Sequence, residues 1–208
     1  ILTFAASVWG MNDVTHLGIY DIPMMSNIPN LVYLAPTTYE EYIAMLDWST
    51  EQREHPVAIR VPGAVIHGEK PTKDYGILNK YETVQKGSGA AIIALGTFFG
   101  MGKQAAELIE KKTGVKPTLI DPVYITGIDE ELLESLKKDH KAVVTLEDGI
   151  LDGGFGEKIA RFYGDSDMRT VNFGLKKEFL DRYDANEVLR QNGITPEQIA
   201  DRAAELIK

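Results

Sequence analysis

The heptapeptide Thr15-His16-Leu17-Gly18-Ile19-Tyr20-Asp21 holds the residue types best suited to moving a proton. A histidine changes charge near neutral pH and serves as either acid or base. Asp13 and Asp21 lie close to His16 in sequence. A carboxylate beside an imidazole holds its tautomer and orientation. Gly18 lets the backbone come close to a ligand. The residue types leave a second reading open, in which His16 only hydrogen-bonds a backbone carbonyl. The surrounding stretch, Ser7 to Pro29, has little periodicity and reads as a long irregular loop. Loops of that length are uncommon and often functional.

A second stretch combines charge with glycine. Val143 and Val144 lead an apolar run into Glu147-Asp148-Gly149, followed by Asp152-Gly153-Gly154-Phe155-Gly156. Ile159, Ala160 and Tyr163 then fall at helical spacing. A buried strand, a tight turn and a helix are expected. The carboxyl end of a strand in an α/β sheet is where functional groups gather. The residue types equally allow a bland role, with Gly153 to Gly156 as a tight connection and Glu147 as its surface charge.

Other candidates fit poorly. Gly164-Asp165-Ser166 lacks the third residue of a Gly-Asp-Gly magnesium-diphosphate start. The glycines at 87 to 89 and 153 to 156 match neither a Walker loop nor the dinucleotide fingerprint. His16, His55, His67 and His140 have no metal-ligand spacing. His140, after Lys137-Lys138-Asp139, reads as a solvated helix cap. No serine sits in a nucleophile elbow.

Elements that must position these groups follow from periodicity. The 208 residues are 44% hydrophobic and 25% charged, enough for one large or two small domains. A net charge of -9 argues against nucleic acid held through phosphates. No apolar run approaches the roughly 18 residues of a membrane span. The absence of cysteine excludes disulfides, thiolate catalysis and cysteine-zinc sites, and a cytoplasmic setting is expected. The opening Ile1-Leu2-Thr3-Phe4-Ala5 reads as a strand already inside a domain, so upstream sequence is expected.

Strands are expected at 31–35, 57–61, 91–95, 117–121 and 169–173. Thr37 with Glu40 predicts a capping box on a helix that turns Tyr42, Ile43, Leu46 and Trp48 inward. Gly114 ends a helix carrying Phe98, Met101, Ala105, Leu108 and Ile109. Asp129 caps another. Short helical segments are expected around Glu178 and Glu187. Thr195, Pro196 and Gln198 mark a last helix, with Ile194 and Ile199 placed as its staple. Strands alternating with helices imply a mostly parallel, layered sheet.

Taken in order, these segments resemble the carboxyl-terminal part of thiamine-diphosphate enzymes of the transketolase group, most nearly the 1-deoxy-D-xylulose-5-phosphate synthases. THLGIYD with IPNLVYLAP, HPVAIRVP, VVTLEDGILDGGFG and NFGLKKEFLDRYDANEVLRQNGITPEQI carry the resemblance, which covers nearly the whole chain. It implies an α/β fold: the end of a pyrimidine-binding α/β domain at 1–63, a linker at 64–79, and a transketolase C-terminal three-layer α/β domain at 80–208. It implies a transferase that condenses a decarboxylated 2-oxo acid such as pyruvate with an aldehyde. Thiamine diphosphate and Mg2+ would serve the full-length enzyme, with none held by this chain alone. A homodimer acting on small-molecule substrates is expected. A transketolase half, a 2-oxo acid dehydrogenase beta-type subunit and a non-catalytic dimerisation domain are the alternatives.

Matched one at a time, His16 corresponds to the family's substrate-facing histidine. Thr15 and Asp21 correspond to neighbours that hold the loop and bind substrate. Arg60 corresponds to an arginine near the sugar phosphate. The departures are specific. Asn12 replaces the usual aspartate, with Asp13 adjacent. Leu17 stands where glutamine is common. Met24-Met25-Ser26-Asn27 and Gly63 lack two arginines that the synthases carry.

Overall fold

A computed structural model describes residues 1–61 and 64–208, without the side chain of Phe4. Pro62 and Gly63, one of the two positions where an arginine is missing, lie outside the described residues. Two sheets carry the chain. The first has three parallel strands, β1 (Leu2–Ala5), β2 (Val32–Leu34) and β3 (Val57–Val61), in the order β1-β3-β2. Helix α2 (Tyr39–Glu51) connects β2 to β3. The second sheet comprises β4 (Glu82–Gln85), β5 (Gly89–Ala94), β6 (Thr118–Asp121), β7 (His140–Ile150) and β8 (Arg169–Leu175), in the order β4-β6-β5-β7-β8. All its pairings are parallel except β4 with β6.

The alternation of β5 and β7 divides the second sheet into two apolar faces. Ile92, Ala94, Val144 and Leu146 face helix α3 (Phe99–Thr113) and helix α7 (Pro196–Ile207). Ala91, Ile93 and Val143 face helix α4 (Glu130–Leu136) and helix α5 (Phe155–Tyr163). This is a three-layer α/β unit. Each fully buried isoleucine or leucine contributes about 1.5–3 kcal/mol.

The predicted caps of two helices match. Asp129 accepts from Leu132 N–H and Thr195 from Gln198 N–H, and Ile194 and Ile199 are both buried. The box on α2 is displaced by one residue. Thr38 is the N-cap and accepts from Glu41 N–H, while the buried Glu41 carboxylate accepts from Thr37 N–H and Oγ1. Its inward face centres on Met45, with Tyr42, Leu46 and Trp48 only partly covered.

Two further expectations are corrected. Ser7 to Pro29 is not wholly irregular, because it contains a 3-10 turn at Val14–His16 and a short helix α1 (Asp21–Met25). No helix forms around Glu178. Residues 176–184 run irregularly to helix α6 (Ala185–Gln191), and their polar groups bond elsewhere, as described below.

The two sheets meet at a seam. Ala35 N–H donates to Val123 C=O (2.8 Å) and Ile125 N–H to Tyr33 C=O (2.7 Å). The connector contributes Lys73, whose ammonium meets Glu41 at 2.6 Å, Glu82 at 2.7 Å and Asp121 at 3.9 Å. One cation thereby pins α2, β4 and β6 together. Among the described residues, no helix is long and apolar enough to cross a membrane.

Candidate functional site

His16 closes the 3-10 turn, and its side chain lies at the surface. Asp13 starts that turn and accepts from Thr15 N–H (2.8 Å) and Thr15 Oγ1 (2.6 Å). These bonds hold the Asp13 carboxyl below its ordinary range, the hydroxyl bond having the larger effect. Thr15 Oγ1 lies 2.8 Å from His16 Nδ1. A threonine hydroxyl has one hydrogen, here given to Asp13, so it accepts from Nδ1–H. The relay Asp13–Thr15–His16 therefore assigns the proton to Nδ1 and leaves Nε2 as the acceptor. Asp13 does this from the position next to Asn12, where the family's aspartate is missing.

Beyond the turn the chain crosses the end of β1. A Cβ on Gly18 would stand 2.7 Å from Ala6 Cα and 2.9 Å from Ser7 N. Only glycine allows that crossing without moving backbone.

Asp21 opens α1 and points inward. Its Oδ2 accepts from Arg60 Nε at 2.8 Å and also from Tyr33 Oη. Arg60, on β3, is 5% exposed. Its Nη2 donates to Asp21 Oδ1 (3.2 Å), to Gly18 C=O (3.1 Å) and to Asp148 C=O. Nη1 lies 3.7 Å from Asp148 Oδ2. The guanidinium is thus turned toward carboxylates and carbonyls of its own chain, gathering the loop, β3 and β7. These contacts join the histidine loop to β3 and β7.

Asp148 is fully buried. Oδ1 accepts from Val8 N–H (2.8 Å) and Oδ2 from Thr97 Oγ1 (2.9 Å). Strand β7 continues through Asp148 to Ile150.

Glu147 is not a surface charge. It is fully buried and accepts from Phe155 N–H (2.7 Å) and Gly156 N–H (2.8 Å) at the start of α5. A Cβ on Gly154 would lie 2.5 Å from Glu147 Oε2, so the glycines and the carboxylate form one packed unit. Burial is the largest influence on Glu147 and pushes its carboxyl up to about 7, against the two N–H donors and the nearby Arg60 and Lys158. Burial likewise lowers Lys158 to about 8, opposed by Glu147.

A pH dependence follows. Between about 4.5 and 7 the folded chain keeps a proton on Glu147 that the unfolded chain has lost. This contribution is full below the ordinary carboxyl value and disappears as pH rises through 7, on the order of 3 kcal/mol. Lys158 acts oppositely, with its contribution present above 10.5 and lost as pH falls through 8. Denaturant titrations of the protein and of Glu147→Gln should therefore diverge across pH 5–7, the variant lacking that decline. Parallel curves would refute it.

His140 also departs from expectation. Its side chain is 3% exposed, with Nε2 2.8 Å from Thr118 Oγ1 and Nδ1 3.1 Å from Leu136 C=O. It ties β7 to β6 and α4.

Magnesium finds no ligand set here. Among the described residues, no group of three or more His, Asp or Glu side chains is placed to hold a metal ion. The buried carboxylates Asp21, Asp148 and Glu147 are already bonded to Arg60, Val8, Thr97 and the start of α5. The residues present therefore do not fit a magnesium-diphosphate site.

The architecture is a two-sheet α/β scaffold in which a histidine loop rests against a three-layer unit. Residues 79–199 match the family described as transketolase, C-terminal domain. The 1-deoxy-D-xylulose-5-phosphate synthase of Clostridium perfringens (strain SM101) is 33% identical over 208 residues, covering 97% of this chain and 33% of the relative. That of Clostridium tetani is 30% identical over 205 residues, covering 97% and 33%. The chain spans about a third of the length of these curated relatives.

Solved structures share the fold. A split-gene transketolase described as an inactive beta4 tetramer superposes with a TM-score of 0.82 at 22% identity, covering 99% of this chain and 66% of that one. A Pichia stipitis transketolase in complex with sedoheptulose-7-phosphate gives 0.73 at 18% identity, covering 99% and 29%. The chain belongs to the transketolase family and carries its C-terminal domain at residues 79–199.

Proposed function

We propose that these residues serve a thiamine-diphosphate-dependent transferase of the 1-deoxy-D-xylulose-5-phosphate synthase type. The reaction condenses a decarboxylated 2-oxo acid such as pyruvate with an aldehyde. Bound thiamine diphosphate supplies the electron sink for breaking the bond beside the ketone. This chain supplies the acid-base loop. His16 Nε2 moves a proton at the substrate oxygen, Thr15 and Asp13 fix its tautomer, and Asp21 with Arg60 holds the loop. The observation that carries this reading is the relay on His16 Nδ1, which leaves Nε2 without a hydrogen-bond partner among the described residues on an exposed side chain.

A homodimer belongs to the same proposal. The exposed apolar side chains Met11, Val14, Met24 and Ile28 flank the histidine loop, where a covering surface suits them. A cytoplasmic setting is supported by the absence of cysteine.

The acceptor is proposed to be an aldehyde without phosphate. Met24 to Asn27 contain no cation, Arg60 is turned inward, and Lys73 is taken by three carboxylates. Each charge-assisted bond missing from a phosphate costs about 1.5–3 kcal/mol. Losing two would raise the Michaelis constant for glyceraldehyde 3-phosphate roughly a hundredfold or more. The test compares glyceraldehyde with glyceraldehyde 3-phosphate in the active enzyme. A strong preference for the phosphorylated triose would restore the ordinary synthase specificity.

A further inference from the structure

The base of the histidine loop is gripped from the C-terminal domain. Val8, 1% exposed, is the last buried residue before the loop. Its N–H donates to Asp148 Oδ1 (2.8 Å), and its C=O accepts from Tyr183 Oη (2.9 Å). Both main-chain polar groups of one residue are therefore held by side chains 140 and 175 positions away. Burial raises the Tyr183 hydroxyl, and the Asp148 carboxylate raises it further.

The far end of the loop is held in the same way. Ile150 N–H donates to Ile19 C=O (3.0 Å), two residues along β7 from Asp148. Between these ends Arg182 N–H donates to Asn12 C=O (2.6 Å), and just past the far end Tyr20 Oη donates to Glu178 C=O. These bonds explain why residues 176–184 form no helix.

We infer that Tyr183 and Asp148 are positioning residues for His16, fixing the Val8 backbone from which the histidine loop departs. The inference rests on His16 as the proton-transfer group, and it gives the C-terminal domain a part in the chemistry without touching substrate. Removing one hydroxyl should loosen the loop and leave the sheets intact, because Tyr183 keeps its ring in the phenylalanine variant.

The test is amide exchange in the protein and in Tyr183→Phe. Gly10, Thr15 and His16 N–H groups are bonded within the loop, to Ser7 C=O, Asp13 Oδ1 and Asp13 C=O. Their exchange should rise about tenfold, the effect of one hydrogen bond, with Ile92, Ile93 and Val144 unchanged. Unchanged loop exchange, or an equal rise in the strands, overturns the inference. Asp148→Asn keeps an oxygen for Val8 N–H and should loosen the loop less than Asp148→Ala. Equal effects overturn the assignment of Asp148.

Kinetics of the active enzyme supply a second readout. Tyr183→Phe should lower kcat with KM held, and add nothing in a His16→Ala background. A further loss in that background overturns positioning through His16. Full turnover in His16→Ala alone overturns the proposed function, leaving the exchange result to report on loop anchoring.

Discussion

Arg60→Met should destabilise the chain by about 3–5 kcal/mol, because removing one partner of a buried ion pair leaves the other charge buried and unpaired. Two carboxylates lose their cation here, Asp21 and Asp148. Gly18 C=O and Asp148 C=O lose a donor as well. Methionine fills much of the volume, so the loss reports charge and hydrogen bonding above cavity formation. A domain is typically stable by only about 5–15 kcal/mol, so the variant loses a large share of its stability. Urea midpoints measured at neutral pH decide it. A midpoint equal to that of the unaltered chain would mean that the Arg60 cluster is dispensable.

His16→Ala should lower turnover in the active enzyme by about 10²–10⁴, the range for a positioned acid-base group. Stability should barely change, since the imidazole is exposed and, among the described residues, bonds only Thr15. The relay makes the expected pattern specific. Thr15 keeps its bonds to Asp13 when the imidazole is gone, so the turn persists and the acid-base group alone disappears. Steady-state rates with pyruvate and an aldehyde measure this, with cofactor affinity as the control. Unaltered turnover would leave His16 a surface residue of the loop.

Much of the scaffold was legible because short β-branched runs and helix caps act locally. Val57–Val61, the strand after Ala90, Asp129 and Thr195 all announce themselves within a few residues. Strand β4 was not legible. Its Glu82, Thr83, Val84 and Gln85 are at most partly covered, and pairing with β6 alone makes them a strand. The capping of α2 slipped by one residue because Thr37-Thr38 and Glu40-Glu41 offer two registers, and the burial of Glu41 decides between them.

At the site, the histidine and Asp21 were visible as chemistry in a loop, but their partners were not. Arg60 reaches Asp21 across 39 positions and Asp148 across 88, distances at which spacing carries no signal. Glu147 resembled a surface charge because nothing local reveals that two N–H groups at the start of α5 will receive it.

The bond from Tyr183 to Val8 spans 175 positions of sequence. During synthesis, at about 5–20 residues per second, the hydroxyl that grips the start of the histidine loop emerges some 10–35 s after the loop itself. Until then β1 and β3 can pair, and Asp148 and Ile150 arrive earlier, but the loop lacks the segment after β8 to rest upon. His16 is thus made well before the residues that set its loop in place.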